Sequence, residues 1–185
     1  MIAWLKANPD RATNGTSGIG SAIHLAGIFF QRETGTRFAF VPYRGSVPAM
    51  QDLVAGQIDF MIDVASGSLA HARAGSIKAY AVTKRARIQR APEIPTVDEA
   101  GLPGFHMSTW FALYAPKATP RDVIAKLNGA VIAALADPAV RKRLADLGQE
   151  VFAPEQQAPE ALAAFQKAEI DKWSPIIKAA GLKAE

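Results

Sequence analysis

The chain has no cysteine among its 185 residues, which excludes disulfides, thiolate metal centres and thiol nucleophiles. Composition therefore suits an oxidising compartment as well as a reducing one. No apolar run approaches the ~20 residues of a membrane-spanning helix. Residues 1–20 do not read as a secretion signal, because Ile2-Ala3-Trp4-Leu5 is too short for an apolar core. Histidine is scarce: His24, His71 and His106 show no ligand spacing between any two, so each reads as structural or solvated and no metal is expected. Charge is modest, 21 Lys and Arg against 17 Asp and Glu, a net of +4. The one basic cluster, Lys84 to Arg90, has no interleaved aromatic residue and reads as a solvated loop, which argues against a nucleic-acid partner.

What is present is glycine and serine at helix starts. Gly15-Thr16-Ser17-Gly18-Ile19-Gly20-Ser21 runs straight into the apolar-periodic stretch Ala22-Ile23-His24-Leu25-Ala26. Such a loop leaves backbone N–H groups unpaired and aims them, with hydroxyls, at an acceptor in front. A second loop of this kind follows at Tyr43-Arg44-Gly45-Ser46. On successive strand–loop–helix units the two would open at one edge of a sheet, where a small carboxylate or phosphate can be held.

The pattern along the chain alternates between periods of two and 3.6 residues. Ile2 to Ala7 reads as the tail of a helix stopped by Asn8-Pro9, which hints at a preceding part; Ala22 to Thr34 reads as a helix closed by Gly35, and Phe38 to Val41 as a strand. Ser46 is expected to cap the next helix, which ends at Gly56. Ile58 to Asp63 reads as a buried strand ending on a carboxylate, Ser66 to Ala74 as a helix and Ile77 to Thr83 as a further strand. Short links between them favour a parallel α/β sheet. Phe105 to Ala115 is long and extended and suits a crossover between domains. Beyond it lie three helical stretches, Arg121 to Ala136, Pro138 to Leu147 and Ala158 to Ala180, with Glu150-Val151-Phe152 as a plausible strand. Their broad apolar faces need something to cover, and this half supplies few strands of its own.

Two catalytic readings fail on the residues. The Gly-Ser loop looks like the dinucleotide loop of short-chain dehydrogenases, and Tyr80 to Lys84 matches a Tyr-x-x-x-Lys spacing. Yet the upstream stretch is polar and broken by Pro9, Ile77 to Thr83 reads as a strand that would part the pair, and no acidic residue closes the following strand. Ser17 and Ser21 could be nucleophiles, but nothing supplies a base, and hydroxyls at helix starts are usually caps. Asp63 could accept from a ligand amine, hydroxyl or water, or cap the helix opening near Ser66, and the two roles are compatible.

Val41 through Asp59 resembles the signature of the tripartite tricarboxylate transporter receptors, also called Bug-family extracytoplasmic solute receptors. The likeness extends in order through Ser17-Gly18-Ile19-Gly20-Ser21-Ala22-Ile23-His24-Leu25, Ala81-Val82-Thr83, Ile94-Pro95-Thr96-Val97, Glu99 to Gly104, Trp110 to Pro116 and Ala136-Asp137-Pro138. The resemblance implies a periplasmic binding protein, not an enzyme and without cofactor or metal. It implies type II α/β lobes closing on a small carboxylic acid and membrane permease subunits as partners. Family receptors are longer, so the expectation is one complete lobe over 1–104, and over 105–185 a crossover strand and the helical C-terminal part of the other lobe, incomplete. The ligand-binding residues expected on this basis are Thr16, Ser17, Gly18, Gly20, Ser21, Tyr43, Gly45 and Ser46, with Asp63 added from its place at a strand end. Arg44 keeps a basic side chain near the cleft. Weak binding is expected of a half cleft, and uncovered C-terminal helices make a homodimer possible. A Gly-Ser enzyme or nucleotide binder, and a non-binding interaction domain, are the alternatives.

Overall fold

A computed structural model describes residues 1–181. They form two compact units: residues 1–109, joined by the end of the last helix from Ile176, and residues 110–175.

The first unit opens with α1 (Ile2–Ala7) and then alternates β1 (Thr13–Thr16), α2 (Ala22–Thr34), β2 (Ala39–Pro42), α3 (Ser46–Val54), β3 (Phe60–Met61) and α4 (Ala65–Arg73). The strands are parallel and ordered β2-β1-β3, with Asn14 opposite both Phe40 and Phe60. The central strand is thus Thr-Asn-Gly-Thr, the polar stretch in which no strand was expected. Pairing on both sides compensates for its poor apolar content. Gly15 lets the sheet close: a Cβ there would lie 2.3 Å from Ile58 Cδ1. Asp59 clasps the strand's start, its Oδ2 accepting from Thr13 N–H at 2.7 Å and from Thr13 Oγ1 at 2.8 Å.

Helix α2 matches the expected range, ending at Gly35 in the left-handed conformation. Other expectations are corrected. Strand β3 shrinks to two residues, leaving Asp63 beyond it. Ile77 to Thr83 forms no strand; only Val82 makes a parallel bridge, to Thr96. Glu150 to Phe152 is irregular, and Phe105 to Ala115 has no ladder partner. A short apolar run becomes a strand only where a neighbour offers a free edge, and among the described residues these find none.

The core of the first unit is aromatic. Phe30, Phe38, Phe60 and Phe105 are buried together with Leu5 and Val97. Phe38 meets Phe60 edge-on at 4.8 Å and Phe30 meets Phe105 edge-on at 5.5 Å, geometry that favours the ring quadrupoles. A second cluster of Leu69, Ile88, Ala91 and Ile94 folds the basic loop onto α4. That loop is therefore structured: Arg87 donates to both oxygens of Glu99 and to Pro92 O. Glu99 also accepts from Thr96 N–H while Glu99 N–H donates to Thr96 Oγ1, a capping box around one helical turn.

The second unit holds α5 (Arg121–Ala136), α6 (Pro138–Asp146), a 3₁₀ turn (Pro154–Gln156) and the larger part of α7 (Pro159–Ala179). Asp137 caps α6, accepting from Ala139 and Val140 N–H, with Pro138 at the first helical position. Phe165 stacks edge-on with Trp110 and Phe152. None of α5, α6 or α7 buries a residue fully, and Leu127, Ile132 and Ile170 stand exposed. Among the described residues no single helix is long and apolar enough to cross a membrane.

Two glycines separate packing from propensity. A Cβ at Gly27 would meet Phe40 Cε1 at 2.5 Å and Asn14 Oδ1 at 2.9 Å, whereas at Gly129 in α5 it meets nothing within 4 Å. Gly27→Ala is expected to destabilise by about 1–3 kcal/mol through overpacking, and Gly129→Ala to stabilise by about 0.5–1 kcal/mol through helix propensity, read from urea midpoints at constant slope.

Candidate functional site

Parallel strands bring their C-terminal ends to one edge, so the segments after β1, β2 and β3 emerge side by side. The chain steps from β1 to β2 on one side and then across to β3 on the other. The strand order therefore reverses at β1, and the crevice at such a switch point is where open α/β sheets bind ligands.

After β1, residues Ser17 to Ser21 form a tight loop. Gly18 and Gly20 take φ of 123° and 77°, and Ser21 N–H donates to Gly18 O at 3.2 Å. Ser21 caps α2 by accepting from His24 N–H, and Gly20 N–H turns inward to donate to His24 Nδ1 at 3.0 Å. The N–H groups of Ser17, Gly18 and Ile19 have no acceptor among the described residues. They sit at the positive end of α2, where an anion is favoured.

The second loop is tied to the first: Tyr43 N–H donates to Thr16 O at 2.9 Å, and a Cβ at Gly18 would lie 3.6 Å from Tyr43 O. Gly45, at φ 111° and ψ 171°, is the N-cap of α3 and Ser46 its first residue. This corrects the expectation that Ser46 caps; its hydroxyl makes no cap bond, because only glycine adopts the turn that leads into this helix. Tyr43 is less free than expected. Its hydroxyl donates to Asp52 Oδ2 at 2.6 Å, and that bond, with burial and the carboxylate's charge, raises its pKa. Arg44 makes no ion pair among the described residues. Ile19 and Val47, 73% and 72% exposed, give the two loops apolar tips.

Asp63 follows β3, one residue before the N-cap of α4. Both its oxygens are buried and neither makes a hydrogen bond of good geometry, so it does not cap the helix. Burial is the main cause of a raised pKa, with Val64 N–H and the Ser68 hydroxyl acting against it. Gly67 makes room for the carboxylate, since a Cβ there would stand 2.8 Å from Oδ2.

At the start of the first loop lie buried polar groups: Asn14, which the sequence did not single out, and Thr16, which was expected at the ligand. Asn14 and Thr16 are fully buried, and Asn14 Oδ1 and Thr16 Oγ1 have no partner. His24 is buried against Phe40, edge-on at 4.7 Å. Its place four residues after Gly20 was the available signal. Among the described residues no three His, Asp or Glu side chains gather as a metal site. The stretch around Tyr80 is not helical, so the Tyr-x-x-x-Lys spacing has no helical turn to act on.

Residues 1–182 match the family described as "Tripartite tricarboxylate transporter family receptor". The chain is 41% identical over 98% of its length to the "UPF0065 protein in the TAR-I ttuE-ttuC' intergenic region" of Agrobacterium vitis, covering 52% of that protein. It superposes on the periplasmic binding protein BugD with a TM-score of 0.89 at 37% identity, covering 100% of this chain and 61% of BugD. MatC from Rhodopseudomonas palustris, with bound malate, gives 0.88 at 38% identity over 95% of this chain and 60% of MatC. A second R. palustris protein, solved with adipate, gives 0.88 at 32% identity over 97% of this chain and 59% of its own. The chain thus spans about half the length of the curated relatives it matches.

Asp63 yields a test of the local electrostatics. Its raised pKa means that the folded state holds the proton more tightly, so this side chain favours folding most at low pH and loses that contribution as pH rises above the ordinary 3.8. Asp63→Asn is therefore expected to raise the unfolding midpoint at neutral pH, with the gain shrinking as pH falls toward 3.8; equal midpoint shifts at both ends would contradict it.

Proposed function

The chain belongs to the tripartite tricarboxylate transporter receptor family, and on that premise we propose that its first unit holds the carboxylate of a small organic acid at the C-terminal edge of the β2-β1-β3 sheet. The observation that carries this is the set of N–H groups without an acceptor among the described residues on two adjoining loops, each leading into a helix. Ser17, Gly18 and Ile19 supply donors from one side, and Gly45 and Ser46 from the other. Thr16, Gly20, Ser21 and Tyr43 shape the loops, and Asp63, its oxygens buried, follows β3 at the same edge of the sheet. Bonds from several N–H groups to an ionised carboxylate are short and stronger than neutral ones, and they need no charged side chain. Solute-binding receptors, not enzymes, make up the family and the neighbouring structures.

The neighbours named with malate and adipate make dicarboxylates the first ligands to try. In the proposed cycle, a ligand gripped by two lobes favours the closed arrangement by contacts absent from the open one. The closed form is what membrane permease subunits in the periplasm would recognise. Residues 1–104 act as one lobe, and 105–185 as a crossover and the helical part of the other. The uncovered apolar faces of α5 and α7 favour self-association or further polypeptide against them.

In isolation this chain offers one side of the grip. Each tenfold in affinity is ~1.4 kcal/mol, so the loss of two or three charge-assisted bonds leaves binding around the millimolar range. A thermal-shift screen against mono-, di- and tricarboxylates and nicotinamide nucleotides is expected to show stabilisation by a carboxylate only at millimolar concentration. Gly45→Ala, which strains the second loop, should abolish that stabilisation. Stabilisation by a nucleotide instead would contradict the receptor reading.

A further inference from the structure

We propose that His24 is the positioning residue of the first loop, and that its neutral ring holds the Ser17–Ile19 donors in place and releases them when protonated. The proposal rests on the carboxylate-binding reading of that loop. Gly20 N–H donates to His24 Nδ1 at 3.0 Å, four residues along, while His24 N–H donates to Ser21 Oγ at 3.2 Å. One residue thus grips the loop at two points, by ring and by backbone. With Gly20 N–H engaged by the ring, the N–H groups of Ser17, Gly18 and Ile19 are the ones in this loop without an acceptor among the described residues.

The bond also fixes the ring's chemical state. A nitrogen that accepts an N–H carries no proton, so the proton of the neutral ring lies on Nε2. The other contacts suit an uncharged ring: His24 is buried and meets Phe40 edge-on at 4.7 Å. β1, the loop from Ser17 to Ser21 and β2 contain no titratable residue, and α2 has Arg32 and Glu33 only near its far end. The remaining titratable groups on neighbouring elements are Tyr43 and Arg44 in the second loop, Asp52 in α3, Asp59 beside the start of β1 and Asp63 just beyond β3, with Tyr43 bonded to Asp52 and Asp59 to Thr13. None of them contributes to the lowered pKa of His24, whose cause is burial. Protonation would set an N–H on Nδ1 against the Gly20 N–H. Two donors cannot share that line, so the loop must open.

The sign follows from the lowered pKa. Above the ordinary 6.5 the ring is neutral in both folded and unfolded chains; as pH falls below it, the unfolded chain takes up the proton first and stability declines. Ligand affinity falls on the same side, because the protonated ring no longer sustains the loop.

The test uses ¹⁵N-labelled chain and two variants, followed between about pH 5 and 8. In the wild type, the Gly20 amide is expected to be protected from hydrogen exchange at neutral pH and to lose protection as the His24 ring nitrogens titrate. His24→Leu, lacking the acceptor, leaves Gly20 unprotected throughout. His24→Asn, whose amide oxygen can replace Nδ1, keeps it protected throughout. With malate as the probe, wild-type affinity should weaken by about tenfold per pH unit below the His24 pKa. His24→Asn shows only the ligand's own titration. Gly20 protection that ignores the His24 titration, or that survives in His24→Leu, overturns the proposal. Should the variants fail to fold, the wild-type exchange profile decides alone. Should malate bind no form, the receptor reading loses support while Gly20 exchange still judges the role of His24.

Discussion

The loop edge depends on the pairing of β1 with a parallel strand on either side. Thr13 to Thr16 has almost no apolar surface with which to hold a place in a core, and it stays there because its backbone bonds run to β2 and β3 and Asp59 fastens its first residue. Once that strand is fixed, three C-terminal ends open in one direction and their loops become neighbours. Gly15 and Gly27 are the steric conditions of this arrangement, since neither leaves room for a side chain at the face where Ile58, Phe40 and Asn14 close in.

Buried and unpaired polar atoms then concentrate at one place. Asn14 Oδ1, Thr16 Oγ1 and both oxygens of Asp63 lack partners, and all lie on or just beyond the strands that bear the loops. Leaving such groups unpaired costs about 1–3 kcal/mol each. A fold tolerates that cost where polarity serves something other than packing, which agrees with a carboxylate held by dipoles and N–H groups and not by a counter-charge. The neutral state of His24 belongs to the same design.

How much of this the sequence disclosed varied by physical cause. Helix α2 and its Gly35 end were legible because apolar period, cap and left-handed glycine coincide within one segment. Family membership was legible from the motif that spans Val41 to Asp59, and the matching family covers residues 1–182. The central strand was not legible, because its stability is supplied by neighbours 26 and 46 residues away and not by its own side chains. Ile77 to Thr83 failed in the opposite sense: its composition favours a strand, but only Val82 finds a partner. The loops could be read as donors of N–H groups, whereas the inward turn of Gly20 and the engagement of Tyr43 by Asp52 depend on tertiary distances. For residues 110–175, the apolar faces were evident in the helical period, and the structure leaves Val123, Leu127, Ile132 and Ile170 exposed and the rest of those faces partly buried.

The central claim is that the two loops after β1 and β2 together hold a carboxylate. Its most direct test is a titration of ¹⁵N-labelled chain with malate or adipate, followed amide by amide. The account predicts shifts confined to Ser17, Gly18, Ile19, Gly45 and Ser46, saturating together with one dissociation constant. Shifts that leave these five amides still and gather elsewhere, such as along the basic segment from Lys84 to Arg90, would contradict it.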